Sequence, residues 1–337
     1  GLLKMDFLGL RNLTVIKEAI RLIRLNRGIE LDFSKIPFDD KETYNLLCTG
    51  ETLGVFQLES KGMRSFIKDL KPENIEDIIA GISLFRPGPM DSIPKYIKYK
   101  NNPDVIKYLD PKLEPILNVT YGCLVYQEQV MQVVRQLGGY SYGRSDLVRR
   151  AMGKKKMDVM EKEREIFING LVDDEGNVEI QGCVRNGVDS KVANIIFDDM
   201  IDFAKYAFNK SHAASYAVLA YQTAYLKAHY TVEFMAALMT SVMGNPSKIA
   251  EYIGDCKRMN IKILPPDVNE SYSKFTVVNS NIRFGLLAVK NVGLGIIRAI
   301  IDGRKAKKFT TFMEFCEGID TKELNKRAVE SLIKSGA

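Results

Sequence analysis

Apolar residues recur at helical spacing over long tracts of this chain, above all from Ser190 to Ala207 and from Ser211 to Met243. They alternate with period two only in short runs: Leu2 to Leu8, Phe275 to Val278 and Ile282 to Leu287. That contrast predicts a mainly α protein with small β elements. The most apolar stretch, Ala213 to Val242, is interrupted by Gln222, Lys227, His229 and Glu233. No run therefore approaches the ~18–20 uncharged apolar residues of a membrane helix. With 337 residues, 46% of them hydrophobic, the chain has material for a real core and roughly two to three domains. Disorder and a disulfide-stapled mini-domain are excluded by the same figures.

Turn and cap residues divide the tracts. A helix is expected over about 13–26 with Gly28 as its stop, another over 39–48, and a rigid turn at Arg86-Pro87-Gly88-Pro89. Helices are expected over 127–137, ended by Gly138-Gly139, and over 145–152 with Ser145 as N-cap and Gly153 as stop. Another runs over 158–171. The Gly-, Asn- and Asp-rich stretch 173–189 reads as a surface excursion. A composition shift at Ile263-Leu264-Pro265-Pro266 precedes the last short strands and helices.

Five scattered cysteines, none in a C-x-x-C pair, read as structural thiols of a reducing, cytosolic compartment. Two histidines, His212 and His229, leave almost no material for a zinc site, and no nucleophile elbow accompanies either. Lys and Arg exceed Asp and Glu by only 48 to 42, so where the charge sits matters more than its total. No signal peptide is expected, and the chain opens at Gly1 and ends at Ala337 directly after a helical pattern. We expect an excised piece of a larger protein.

Four places carry candidate chemistry. Lys4 and Asp6 share one face of the first expected strand, where the carboxylate suits a divalent metal and the lysine a phosphate. A solvated ion pair has the same spacing, and one carboxylate cannot hold two metals ~3.5–4 Å apart. Gly143 to Lys156 is the densest basic patch, with Arg149 and Arg150 suited to phosphate forks and Lys154, Lys155 and Lys156 to a polyanion backbone. A solvated basic loop reads the same way. Phe208-Asn209-Lys210-Ser211-His212 opens a long helix; Asn209 or Ser211 can cap it, and the free N–H groups attract anions. A plain capped helix start would look alike. Val289 to Ile301 holds Gly293 and Gly295 between apolar flanks, followed by Arg304, Lys305, Lys307 and Lys308. This is a helix-hairpin-helix pattern in which glycines let backbone N–H groups reach a DNA phosphate, and bulky replacements would force the turn out of shape. An ordinary packing turn is the alternative.

These patches join in one resemblance. Gly1-Leu2-Leu3-Lys4-Met5-Asp6-Phe7-Leu8-Gly9-Leu10-Arg11 resembles the last catalytic palm strand of the bacterial DNA polymerase III alpha subunit family. Val55 to Ser60, Phe85 to Pro89, Thr120-Tyr121-Gly122, Tyr126 to Met131, Arg149 to Lys155 and Phe208 to His212 resemble successive signatures of that family's fingers. Ile263 to Asp267 and the Gly293/Gly295 hairpin resemble the entry to its tandem helix-hairpin-helix region. The match runs in order along nearly the whole chain; only 173–189 matches no motif.

The resemblance implies a mainly α fold: the end of a nucleotidyltransferase-type palm at 1–12, a multi-helix fingers domain at 13–260, and a helix-hairpin-helix region at 261–337. It implies template-directed nucleotidyl transfer by a replicative DNA-directed DNA polymerase, with two Mg²⁺ ions held by three Asp side chains. Asp6 would be the third carboxylate and a metal ligand; an upstream Asp-x-Asp is not in this sequence, so the fragment alone should be inactive. Lys4, Arg149 and Arg150 would neutralise the triphosphate, Asn209, Lys210, Ser211 and His212 would line the nucleotide pocket, and Lys154 to Lys156 would approach nucleic acid. Implied partners are primer–template DNA, deoxynucleoside triphosphates, and a sliding clamp and proofreading subunit through regions outside this piece. The implied location is a cytoplasmic, nucleoid-associated replisome, with no membrane. Two other readings remain: a non-enzymatic DNA-binding module built on the hairpin, and a nucleotide-binding scaffold without chemistry.

Overall fold

The computed structural model describes residues 2–154, 157–204, 206–320 and 324–337. Lys155 and Lys156, two of the three lysines singled out above, lie outside the described residues. The fold is mainly helical, and the chain divides into two units: 1–46, 51–59 and 222–337 in one, 47–50 and 60–221 in the other. No helix among the described residues is long and apolar enough to cross a membrane.

The first unit is built on helix Arg11–Arg27, whose apolar face buries Val15, Ile16, Ala19, Leu22 and Ile23. Gly28 ends it in the left-handed region (φ 67°), returning its N–H to the Arg24 carbonyl. Its partner is helix Thr231–Ser241, and the two are pinned by the Arg27 guanidinium forking onto the buried Glu233 carboxylate at 2.8 and 3.0 Å. Lys227, fully buried, donates to the Leu53 carbonyl (2.8 Å) and the Asp255 carboxylate (2.9 Å), which also accepts from Arg258. Such a buried pair is tolerated because the two ions meet each other and each has a further hydrogen bond. Beyond it lies a three-stranded sheet, with Asn281–Arg283 in the middle, parallel to Ile263–Leu264 and antiparallel to Thr276–Val278. A last cluster, among them Leu286, Val292, Ile296, Ile300, Phe315 and Leu332, packs helices Leu294–Ala306, Phe312–Glu317 and Lys326–Ser335.

The second unit packs helices Gln127–Gly138, Tyr142–Gly153, Met157–Asn169 and Ser190–Ala204 around Val130, Val134, Leu137, Phe167, Phe197 and Met200. The entry to helix Gln127–Gly138 is fixed by the buried Gln129 amide. It accepts from the Val125 and Tyr126 N–H groups (2.9 and 3.0 Å) and donates to Thr120 and the Ile116 carbonyl. The 173–189 excursion is ordered: strands Leu171–Val172 and Val178–Ile180 form a hairpin, and the Asp173 carboxylate accepts from the Glu175 and Asn177 N–H groups across its tip.

Three expectations need correction. Residues 2–10 form no strand, and Leu2, Leu3, Phe7 and Leu8 are almost fully exposed. Alternation defines a face, but a strand needs a neighbour to take its backbone hydrogen bonds, and none among the described residues does so. Ser145 is not a cap: it sits buried inside helix Tyr142–Gly153 with its hydroxyl on the Tyr142 carbonyl, while Ser141 accepts from the Arg144 N–H. The tract 211–243 is two helices, Lys210–His229 and Thr231–Ser241, parted at Tyr230, where φ is −133° and ψ 47°.

Candidate functional site

In the second unit, two motifs that are separate in sequence are joined by side chains. The first residue of a helix has no intrahelical partner for its N–H. Here the Gln127 N–H goes to the Phe208 carbonyl at 2.9 Å, and Tyr126 and Phe208 form a parallel bridge. The Gln127 side chain continues the link, its Nε2 donating to the Ala207 carbonyl (3.2 Å) and its Oε1 accepting from Arg149 Nη1 (3.0 Å). Arg149 also donates through Nε and Nη2 to Asp146 at 2.9 and 2.7 Å, and Arg150 reaches the other Asp146 oxygen at 2.7 Å. The Arg149 hydrogen bonds, then the charges of both guanidiniums, hold the Asp146 carboxyl below its ordinary range.

Glu128 closes the far side. Its carboxylate accepts from Asn209 Nδ2 (3.0 Å) and from the Lys210 N–H (3.0 and 3.2 Å) at the start of helix Lys210–His229. The N-terminus expected to draw an anion therefore faces a carboxylate of the chain itself. Asn209 is the cap, accepting from the His212 N–H at 2.9 Å, whereas the Ser211 side chain is exposed. The Lys210 ammonium pairs with Glu76 (2.9 Å) and stands 5.2 Å over the Tyr126 ring. The exposed His212 ring lies 4.3 Å, centroid to centroid, from that of Tyr216. Arg86 stacks 4.0 Å over Phe208 and donates to the Tyr206 carbonyl (2.9 Å), and burial lowers its pKa. Lys154 is exposed at the end of the Arg149 helix. Arg86, Gln127, Glu128 and Glu76 were missed as site residues. Arg86, Gln127 and Glu128 stood inside quoted motifs, but local spacing cannot say which side chain reaches across to another segment.

Lys4 and Asp6 belong to the other unit. They form an open ion pair at 3.5 Å with side chains 86% and 69% exposed. No three His, Cys, Asp or Glu side chains among the described residues are grouped to hold a metal. The residues present thus do not fit a two-ion site, which needs several oxygens converging between ions.

The hairpin also differs from its expected form. Gly293 caps helix Leu294–Ala306 with φ −91° and ψ 169°, an extended backbone open to any residue, and a Cβ there would meet nothing within 4 Å. Gly295 lies within the first turn of that helix, and the left-handed residue of the turn is Asn291 (φ 62°). The expectation that valine would deform the turn is therefore corrected for Gly293: the glycine leaves an open approach rather than a special conformation. Three side chains of the basic run behind it are engaged within the chain, two of them with carboxylates. Arg304 donates to the Val268 and Ser271 carbonyls, Lys305 pairs with Asp302, and Lys307 pairs with Glu314. Lys290 and Arg298, flanking the hairpin, are exposed.

Against known families, residues 12–175 match the bacterial DNA polymerase III alpha subunit finger domain, and residues 260–337 match a helix-hairpin-helix motif. The whole chain aligns with DNA polymerase III subunit alpha of Thermus aquaticus at 49% identity, covering 27% of that protein. It aligns with those of Mycobacterium tuberculosis (strain CDC 1551 / Oshkosh) at 47% and Bacillus subtilis at 44%, covering 28% and 29% of their lengths. The chain thus spans little more than a quarter of these relatives. Identity along all of its length, with the finger and hairpin models in the same order, means that the chain belongs to the bacterial DNA polymerase III alpha subunit family.

Proposed function

We propose that this chain is the nucleotide- and duplex-binding part of a replicative DNA-directed DNA polymerase. Residues 13–260 act as fingers, 261–337 as a helix-hairpin-helix region, and 1–12 as the end of a palm. The observation that carries the reading is the cation cluster around Gln127 and Glu128. Arg149 and Arg150 share the Asp146 carboxylate, Lys210 pairs with Glu76, and Arg86 lies over Phe208 on the Tyr206 carbonyl with no carboxylate among its contacts with the described residues, while Glu128 is taken by the Asn209 amide and the Lys210 N–H. A triphosphate is the ligand that such an excess of oriented N–H donors suits.

Within that reading the two arginines divide the work. Arg149 is held by three hydrogen bonds and is 30% exposed, so it is a preorganised donor for charge building on the β- and γ-phosphates as pyrophosphate leaves. Arg150, 62% exposed and held among the described residues by Asp146 alone, is free to exchange its carboxylate for a phosphate oxygen. Lys4 adds a further phosphate contact. Asn209, Lys210, Ser211 and His212 line the nucleotide pocket, and Lys154, Lys155 and Lys156 meet the nucleic-acid backbone. Asp6 is one catalytic carboxylate and Mg²⁺ ligand, the others standing outside these 337 residues, so the piece alone does not polymerise. Gly293 and Gly295 admit a duplex phosphate to backbone N–H groups, with Lys290 and Arg298 beside them. Primer–template DNA and deoxynucleoside triphosphates are the partners. A sliding clamp and a proofreading subunit join elsewhere on the polymerase, which acts in the cytoplasm at the nucleoid.

The test is single-nucleotide incorporation by the complete polymerase carrying Arg149→Ala or Arg150→Ala. Each should lower kcat/KM for all four nucleotides alike, by about a hundredfold for Arg149, the scale of one oriented transition-state donor. A loss confined to primer–template affinity would assign the arginines to the DNA-backbone surface instead.

A further inference from the structure

We infer that Gln127 is a positioning residue: its single amide registers the Arg149 helix against the turn that opens helix Lys210–His229, so that the two halves of the nucleotide site act as one. This rests on the nucleotide reading of Arg149 given above.

The sequence demands no glutamine here. Position 127 opens helix Gln127–Gly138, where many residues would serve. A side-chain amide, however, offers one acceptor and two donors in a fixed plane. Gln127 spends the acceptor on Arg149, 22 residues away, and one donor on the Ala207 carbonyl, 80 residues away. Its own N–H takes the next carbonyl along that segment, Phe208. Neighbouring Gln129 also carries a saturated amide, but all its partners lie between Ile116 and Tyr126, so it builds only the local loop. Gln127 is thus the amide of the pair that spans the site. Without its oxygen, Arg149 keeps among the described residues only Asp146, a residue of its own helix, and nothing from the Gln127 side chain ties that helix to the segment leading into Asn209 and Lys210.

The experiment is a double-mutant cycle in the complete polymerase at saturating primer–template, with Gln127→Met, Arg149→Lys and the pair, read as kcat and KM for nucleotide. Gln127→Met should lower kcat about tenfold, the scale of one hydrogen bond to a charged group, and leave primer–template affinity unchanged. The double variant should fall little below the worse single one, since both remove the same link. Independent effects that multiply, or a Gln127→Met loss confined to DNA affinity, would overturn the positioning role. Arg149→Lys without effect on nucleotide kinetics would sink the nucleotide reading itself. An effective Arg149→Lys beside a silent Gln127→Met would sink only the inference. Should Gln127→Met fail to fold, Gln127→Glu decides. It keeps an oxygen for Arg149 but puts one where the Ala207 carbonyl needs a donor, so a several-fold fall in kcat supports the role and wild-type kinetics overturn it.

Discussion

The N-terminal segment and the Gln127 cluster carry the same kinds of charge in opposite settings. Lys4 and Asp6 face solvent on a chain with no regular structure, and their contact at 3.5 Å is a loose one. Arg149 and Asp146 meet at 2.7 Å with both side chains about 30% exposed, and a third group fixes the guanidinium plane. A charged motif acquires geometry from its neighbours: the first pair has none among the described residues, whereas the second is oriented before any ligand arrives. Side chains held in this way do not reorganise as charge develops, which is what makes an oriented donor effective.

The largest expected effect would come from the loose pair. In the complete polymerase Asp6→Asn should reduce primer extension by on the order of a thousandfold, at or beyond the loss of one oriented charge-stabilising group, with primer–template binding retained. Near wild-type extension would leave Lys4–Asp6 a surface ion pair and remove the contrast. Next comes a carboxylate buried more deeply than either. Asp255→Ala removes the carboxylate that neutralises the buried Lys227 ammonium, and should lower unfolding free energy by about 3–5 kcal/mol in a denaturant titration. A cost below about 1 kcal/mol would mean that burial does not distinguish these pairs as argued.

Smaller effects follow at high pH. Burial pushes the Cys183 and Cys256 thiols up to about 12, while an unfolded cysteine titrates near ~8.5. The folded pKa is the higher, so stability is complete below the unfolded value and declines as pH climbs towards 12. The loss should reach roughly 1–2 kcal/mol per thiol by pH 10, and Cys256→Ala should flatten its share of the slope. A slope unchanged by that substitution would contradict it. The smallest effect belongs to Gly293→Val. The backbone there is extended and the space empty, so circular dichroism should be unchanged. Duplex affinity should fall about tenfold, one charge-assisted hydrogen bond, across a salt series. Unaltered affinity in a folded variant would reduce the hairpin to a packing turn.

Local pattern revealed most of the helices because their signals are local. The apolar face and Gly28 stop of the first helix, and the glycines after residue 137, are both read within a few turns, and the structure places helices at Arg11–Arg27 and Gln127–Gly138. What pattern could not supply is anything with a distant partner. The Leu2–Leu8 alternation names a face without naming the strand that would pair with it. The Tyr230 break is hidden because the helices on both sides of it are apolar. The site was legible as pieces: Arg149, Arg150 and Asn209 to His212 stood out by type and spacing. Their union runs through contacts such as Glu128 to Lys210, 82 residues apart, which no periodicity encodes.

The division of the chain also sets a timetable for its synthesis. Residues 60–221 form most of one unit without interruption, whereas 1–46 and 51–59 share theirs with 222–337. The bonds that pin this second set, Arg27 to Glu233 and Lys227 to Leu53, close loops of 206 and 174 residues. At ~5–20 residues per second, residue 222 leaves the ribosome on the order of ten to thirty seconds after residue 59. Throughout that interval helix Arg11–Arg27 waits with Val15, Ala19, Leu22 and Ile23 uncovered by helix Thr231–Ser241, while the contiguous unit is free to close. Helix Arg11–Arg27 thus gains its partner helix only after residues 60–221 have been made. Until then its apolar face is open to aggregation during translation and to a chaperone that prevents it.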